Sequence, residues 1–476
     1  MSEQRPHPET GDTAQPYQRR WRMLALLGLA QLMLIVDVTV VALALPQMGA
    51  ELGLGRGELT WVVSIYALMF GGLMLLGGKA ADVFGSRRIV LVGLAVFTLA
   101  SLLTGFAADP TTLLIGRAFQ GIGAAAMSPA ALSTIARTFQ GAELAKALGV
   151  WSALGGAGAA IGVLLGGLLT SGPGWSWVFW VNVPVGVLLF IAFVRILPSF
   201  QGSGGRLDLF GAVIVTLATA SVIFALVNAG DGGWLSLAVL LPLLGGAVGY
   251  TLFVWRQRTA RTPLLDLGML ARRPVASGLG LIFVATALMI AVFFLGSFTF
   301  QQVHGFSALD TGLVFIPVAL GTIGGAQFGA RALGRFGARA TAVVGLFIAA
   351  LGMAAAAGIA SMTVLVIAMT VAALGIGATF VASSTSLFSA VAPHEAGIGS
   401  GVLSTFHEFG AATGVSAVSS IAAAALVGDA ITAFDRGYWF GAVVAAVAAL
   451  LALAIMPGRA ARSPRPQQGG ERTAEA

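Results

Sequence analysis

The sequence predicts an all-α, polytopic membrane protein, and three observations carry that prediction. Of 476 residues, 57% are apolar and 9% are charged, where a soluble domain carries about 25% charged residues. Apolar runs of membrane-spanning length recur along the chain. The basic residues fall almost wholly into alternate gaps between those runs.

A helix crossing the hydrocarbon core needs roughly 20 apolar residues. Runs of that kind lie at about 23–45, 59–79, 89–108, 112–134, 147–169, 178–197 and 209–229. They continue at about 235–255, 275–299, 312–332, 341–360, 363–384, 398–427 and 437–456, fourteen in all. The first run is too long for a signal-peptide core and no small-residue cleavage pattern follows it, so it is expected to stay. With the N-terminus inside, the inner side receives 23 of the 26 basic residues; Arg56 and Arg436 fall outside and Arg117 lies within a span. That split predicts a multi-pass protein of the cytoplasmic membrane with both termini cytoplasmic. Composition also excludes some chemistry. Without cysteine there is neither a disulfide framework nor thiol catalysis. The basic residues, though they bring the pI to about 10.7, are dispersed in short clusters, which is no footprint for nucleic acid.

Shifting the chain by 252 residues lays one half over the other. Over 143–163 against 395–415, nine of 21 positions are identical, among them Glu143 with Glu395 and Gly149 with Gly401. The same shift puts Phe84-Gly85-Ser86-Arg87 over Phe336-Gly337-Ala338-Arg339. The expected organisation is a cytoplasmic tail (1–22), a six-helix bundle (23–200), two inserted helices (201–262), a second six-helix bundle (263–457) and a cytoplasmic tail (458–476). Parallel repeats of this kind place a ligand site between the halves near the midplane.

Four motifs stand at separate spans. Gly78-Lys79-Ala80-Ala81-Asp82-Val83-Phe84-Gly85-Ser86-Arg87-Arg88 joins spans 2 and 3. Span 4 carries Arg117-Ala118-Phe119-Gln120-Gly121-Ile122-Gly123 and then Pro129. Span 1 carries Asp37-Val38-Thr39-Val40-Val41-Ala42-Leu43-Ala44-Leu45-Pro46, and span 6 opens with Trp175-Ser176-Trp177-Val178-Phe179-Trp180-Val181-Asn182-Val183-Pro184. Together, over nearly the whole chain, these resemble the fourteen-span drug:proton antiporter family of the major facilitator superfamily. The resemblance implies a major facilitator fold and export of lipophilic small molecules, drugs or antibiotics, in exchange for protons. It implies a monomer, no cofactor, and binding and coupling roles for the span-1 acid and the span-4 arginine. Val83 and Ser86 stand where the loop motif usually has arginine, and Val163 where the span-5 motif usually has proline.

The residues also have a physical reading of their own. Gly158, Gly162 and Gly166 share one face of span 5, where small residues four apart let helices approach closely; tight packing and a part in a conformational switch both fit. Gly78, Asp82, Gly85, Arg87 and Arg88 form a candidate switch in which the charged groups pair with neighbouring helix ends in one state only. Positive-inside anchoring explains the arginines but not the acid.

Of 19 acids, only Asp37 and Glu408 fall well inside a predicted span. A charge at the centre of a lipid-facing helix costs at least about 2.5–3.5 kcal/mol, so each is expected to face a cavity or a partner. Asp37 and Arg117 lie at depths of about 12 and 8 Å from the same side and can meet, as a coupling site or as a structural ion pair. Glu408 points about 140° away from the Gly410–Gly414 stripe, with Ser404 on its own side one turn back. The expected proton-coupling residues are Asp37 and Glu408, in a substrate cavity with Arg117 and Ser404. His407 lies nearer the packing face; it reads as a packing histidine or a coupling group. In the repeat Glu408 stands opposite Gly156 and His407 opposite Gly155.

Other function classes lack their residues. No G-x-x-x-x-G-K-[ST] loop exists for ATP-driven transport. No H-E-x-x-H and no Gly-x-Ser-x-Gly elbow point to an enzyme. Carriage of one specific metabolite, without multidrug antiport, is the competing reading within transport.

Overall fold

In hydrocarbon, a backbone must satisfy its own hydrogen bonds within the segment, and every regular element among the described residues is helical. The computed structural model describes residues 17–54, 56–202, 204, 208–260, 263–358, 361–427 and 430–458. The outer parts of both expected tails, 1–16 and 459–476, lie outside the described residues, as do Arg206 and Arg261.

The helices in chain order are α1 (Tyr17–Leu52), α2 (Arg56–Phe84), α3 (Ser86–Gly105), α4 (Pro110–Thr138), α5 (Gly141–Ser171), the short α6 (Trp177–Trp180) and α7 (Asn182–Ile196). Then follow α8 (Leu209–Gly232), α9 (Leu237–Thr259), the short α10 (Leu267–Ala271), α11 (Arg273–Phe298), α12 (Ala308–Ala356), α13 (Met362–Phe388), α14 (Ala396–Val427) and α15 (Ala430–Ile455). Among the described residues ten segments are long and apolar enough to cross a membrane, against fourteen expected over the chain. One of the ten, Asp310–Ala356 of α12, holds two expected spans that meet at a kink at Gly337, where the backbone is not helical. The helices α4, α5 and α14 lie where spans were expected but are not among the ten. The first helix starts at Tyr17, so the end of the expected tail is already helical.

The offset of 252 residues recurs in the contacts. Gly85 and Gly337 both hold positive φ, +91° and +82°, a conformation that glycine alone adopts without strain. A Cβ on Gly93 would stand 2.7 Å from the Gly123 carbonyl oxygen, and one on Gly345 2.7 Å from that of Gly375. Arg20 pairs with Glu143 at 3.0 Å, and Arg272 with Glu395 at 3.3 Å. Arg87 donates to the Val194 carbonyl near the end of α7, and Arg339 to the Leu453 carbonyl near the end of α15. Both arginines thus satisfy carbonyls that a helix end leaves open.

Within the first seven helices α1 packs on α5, α2 on α4, and α3 on α4 and α7; among the later ones α11 packs on α13 and α14, and α12 on α13 and α15. Two seams join these groups: α2 against α14, and α5 against α12. Lipid tails are as apolar as leucine, so small residues rather than a hydrophobic driving force set these approaches. A Cβ on Gly401 would stand 2.8 Å from the Met74 carbonyl oxygen, and one on Gly149 3.1 Å from Ala330 Cβ. The offset exchanges these two contacts, because it carries Gly149 to Gly401 and Gly78, which also meets Gly401, to Ala330.

The two seams differ in one respect. Helix α8 packs on both α2 and α14, laying Thr216, Ala220 and Ile223 against Gly71 and Gly72, while Ser416 donates to the Leu226 carbonyl. Its partner α9 is held to it by Asp208, which caps α8 through the Gly211 amide at 3.1 Å and accepts from Arg256 at 3.0 Å. Burial pushes the Asp208 carboxyl up, but the Arg256 guanidinium and the Gly211 amide outweigh it and hold it below the usual carboxylate range. This clamp is complete above the ordinary carboxylate range and is lost as pH falls through the lowered value.

The glycine seam is open to a stability test. Gly401→Ala, whose new methyl meets backbone, is expected to lower the melting temperature of the purified protein, at a cost of about 1–3 kcal/mol. Gly324→Ala, where nothing lies within 4 Å, is expected to be neutral or to gain up to about 1 kcal/mol of helix propensity. Equal melting shifts for the two would show that the α2–α14 approach is not tight.

Candidate functional site: a sealed ion pair and a seam

Asp37 of α1 is held by side chains from α4 and α7. Its Oδ2 accepts from Arg117 Nη1 at 2.6 Å. Its Oδ1 accepts from Gln120 Nε2 at 3.1 Å and from Asn182 Nδ2 at 2.9 Å. Arg117 also donates from Nε to the Val62 carbonyl at 3.0 Å and from Nη1 to Gln120 Oε1 at 3.0 Å. Gln120 Nε2 donates on to Ser101 Oγ at 2.8 Å. The Tyr66 ring covers the guanidinium at 4.3 Å, and the Phe179 ring stands 6.0 Å away.

Local sequence explains this convergence. Asp109 caps α4 by accepting from the Thr112 amide at 2.9 Å, and Pro110 opens the helix, which sets the rotation that aims Arg117 and Gln120 inward together. The two residues are three apart and so share a face. Asn182 is the first residue of α7, directly after the α6 turn. Hydrogen bonds from Thr112 also hold the exposed Asp109 carboxyl below its ordinary range.

Asp37 is 1% exposed and Arg117 0%, so in this structure the pair does not line an open cavity, as the sequence led one to expect. Tyr66, Gln120 and Asn182 close over it, because a charged pair in a dry interior is tolerable only with its remaining hydrogen-bonding capacity filled. Two polar atoms here are left over: Arg117 Nη2 and the Tyr66 hydroxyl are buried without a partner.

Glu408 and Ser404 lie apart from this network, on α14. The glycine stripe of α14 does pack on a neighbour, Gly410 against Phe283 and Gly414 against Ala287 of α11. Glu408 is turned to α2, where its Cβ and Cγ lie 3.5 and 3.6 Å from the place of a Cβ on Gly71. Its side chain is 19% exposed, and His407 Nδ1 stands 3.4 Å from its Oε1. His407, placed by sequence nearer the packing face, is the more exposed of the two at 45%. Ser404 is half-buried one turn before Glu408.

The loop motif splits into separate contacts. Asp82 crosses the seam and accepts from the Gly397 and Ile398 amides at the start of α14, both at 2.8 Å, while Arg137 pairs with it from α4. A carboxylate at a helix N-terminus meets both free amides and the positive end of the helix dipole. Gly78 lies against Gly397 and Gly401 of the same helix, and Gly85 against the Phe200 carbonyl. Arg87 caps α7, and Arg88 is exposed. Gly158 and Gly162 face Ile35 and Thr39 of α1, away from either seam, and Gly166 is buried.

Sequence reasoning assigned no role to Gln120, Asn182, Ser101, Tyr66 or Arg137. Gln120 and Asn182 stood in the motifs as written, each a polar residue in an apolar run, and Gln120 shares a helix face with Arg117. The repeat holds a further signal. The offset carries Asp37, Ser101 and Arg117 to Met289, Met353 and Met369, Gln120 to Ala372 and Tyr66 to Val318, all buried in one apolar core.

The chain matches the family description Major Facilitator Superfamily over residues 27–415 and 279–475. It is 36% identical to the puromycin resistance protein pur8 of Streptomyces alboniger, over 86% of this chain and 83% of that protein. It is 33% identical to the cephamycin export protein CmcT of Amycolatopsis lactamdurans, over 91% of each. Among solved structures it resembles the human organic anion transporter MFSD10 (TETRAN), with a TM-score of 0.66 at 15% identity, over 92% of this chain and all of that one. The proton:xylose symporter XylE superposes with a TM-score of 0.63 at 14% identity, over 93% and 96%. This chain is a multi-pass membrane protein of the Major Facilitator Superfamily.

Proposed function

We propose that this transporter exports lipophilic small molecules across the cytoplasmic membrane in exchange for protons, by alternating access. The export reading is supported by relatives named for puromycin resistance and cephamycin export. The proton reading rests on one observation: a carboxylate and a guanidinium sealed together in the middle of a membrane protein. Asp37, held by Arg117 among buried polar groups, is an acid whose pairing can change as the helices around it move. Asp37 is the first protonation site in this reading and Glu408, at the α2–α14 seam, the second; Ser404 and Glu408 line the substrate path.

The fourteen-crossing topology belongs to the same proposal. The reading is supported by helices α1 to α5, the α6–α7 pair, α8, α9, α11, the two arms of α12, and α13 to α15, which would each make one crossing. The arginine distribution puts both ends in the cytoplasm. Residues 23–200 and 263–457 then form two bundles that rock against each other. Asp82 at the start of α14 acts as a latch on the cytoplasmic side, made in this state and broken in the other.

Asp37→Asn keeps the shape and removes the charge, and is expected to abolish proton-driven export while the protein still inserts. Arg117→Ala strands the buried aspartate, a loss of about 3–5 kcal/mol, and is expected to do the same harm with lower stability. Puromycin efflux from proteoliposomes under an imposed pH gradient checks both, and parental flux in both would sink the role. Glu408→Gln is expected to weaken the dependence of efflux on that gradient; an unchanged response leaves coupling to Asp37 alone. A periplasmically active reporter fused after Gly458 would overturn the even crossing count, since a cytoplasmic C-terminus is expected to keep it silent.

A further inference from the structure

Arg117 Nη2 and the Tyr66 hydroxyl are both buried without a hydrogen-bond partner, and the Tyr66 ring lies over the guanidinium. Buried donors without acceptors are costly, so the place asks for an acceptor. The acceptors of the network beside it are already engaged. Both Asp37 oxygens are engaged, Gln120 Oε1 accepts from Arg117, and Ser101 Oγ accepts from Gln120 while donating to the Phe97 carbonyl.

Across the seam stands Glu408, the one acid besides Asp37 well inside a span. It touches α2 at Gly71, five residues beyond Tyr66 and so about 7–8 Å along that helix. Tyr66 lies over Arg117, which pairs with Asp37. In this state Glu408 has His407 beside it at 3.4 Å. The ionisable groups around the place are Asp37 from α1, Tyr66 from α2, Arg117 from α4, and His407 and Glu408 from α14. The sequence puts none in the middle of α5, α8 or α11.

We propose that Arg117 Nη2 and the Tyr66 hydroxyl form a docking site for the Glu408 carboxylate, taken up when Asp37 binds a proton. This rests on the proton-coupled reading above and adds to it the contact by which the second bundle senses the first. The charge bookkeeping favours it. A proton on Asp37 leaves the Arg117 cation uncompensated in a dry interior, and Glu408 arriving from α14 restores neutrality. When Asp37 gives up its proton it reclaims Arg117, and Glu408 returns toward His407. On α2 Glu408 lies at Gly71, which has no side chain of its own there, and Ile223 of α8 packs beside the same glycine.

Two measurements test this. Tyr66→Phe keeps the ring over Arg117 and removes only the hydroxyl; it is expected to cut the ratio of gradient-driven to passive puromycin flux in proteoliposomes about tenfold. Tyr66→Leu is expected to do no better, and a gradient response identical to the parent's in Tyr66→Phe would overturn the proposal. The second measurement does not depend on puromycin being a substrate. The chain has no cysteine, so Ala67→Cys with Ala411→Cys, beside Tyr66 and one turn beyond Glu408, reports their approach through a short thiol crosslinker while both docking partners stay in place. In an Asp37→Asn background, which mimics the protonated acid, the crosslinking yield is expected to rise several-fold over the Asp37 background. Equal yields in both backgrounds would refute the docking step even if proton-coupled export stands. Failure of the parent to couple protons to puromycin, with the yield rising as expected, would instead refute the transport reading and leave the docking site.

Discussion

A guanidinium inside a bilayer has to be neutralised by groups that can reach it, and much of the first bundle is arranged around that need. Arg117 is met by an acid from α1, a backbone carbonyl and an aromatic face from α2, and an amide oxygen from its own helix. Asn182, from α7, fills the remaining capacity of the acid. The groups come from α1, α2, α4 and α7, so the network also specifies how those helices are rotated. Breaking one member leaves the others buried and unpaired, which is why such clusters are expensive to alter one residue at a time.

The second half of the chain repeats the framework and discards the charges. The ion pairs at the helix starts, the left-handed glycines and the arginine caps on helix ends all occur twice at the same offset. Where the first half buries Asp37, Ser101 and Arg117, the second buries Met289, Met353 and Met369. Methionine is flexible and fills irregular space without asking for a partner. The ionisable groups of the second half stand elsewhere, on α14 at the seam, where the first has Gly155 and Gly156. Duplication thus preserved what packs helices in lipid, while the residues that can carry charge diverged.

The seams follow from the same physics. Glycines at Gly78, Gly149 and Gly401 let backbones meet at one end of the molecule, and Asp82 ties that end across the α2–α14 seam. The tie is one-sided, because the offset carries Asp82 to Gly334. Among the described residues the inserted helix α8 packs on the α2–α14 seam, which distinguishes that side of the transporter in charge and cover. A rocking motion about this arrangement changes the surroundings of Glu408 more than those of Asp37, which sits within one group of helices.

Composition and hydropathy alone determined that this chain lies in a membrane, and the spacing of arginines and of the repeat determined its order of elements. Those properties are legible because lipid imposes them residue by residue: a span must be apolar and a loop end basic, whatever its neighbours are. The pairing of Asp37 with Arg117 was legible too, since two opposite charges at similar depth have few other partners. What the tertiary structure decided is which polar residues join them. Gln120, Asn182, Ser101 and Tyr66 look individually like tolerable polar residues in apolar helices, and only helix rotation and crossing bring them within hydrogen-bonding distance. It also decided that Gly158 and Gly162 serve the α1–α5 contact while Gly149 and Gly401 serve the seams. A glycine stripe announces that something comes close, but which helix comes close depends on contacts far apart in sequence.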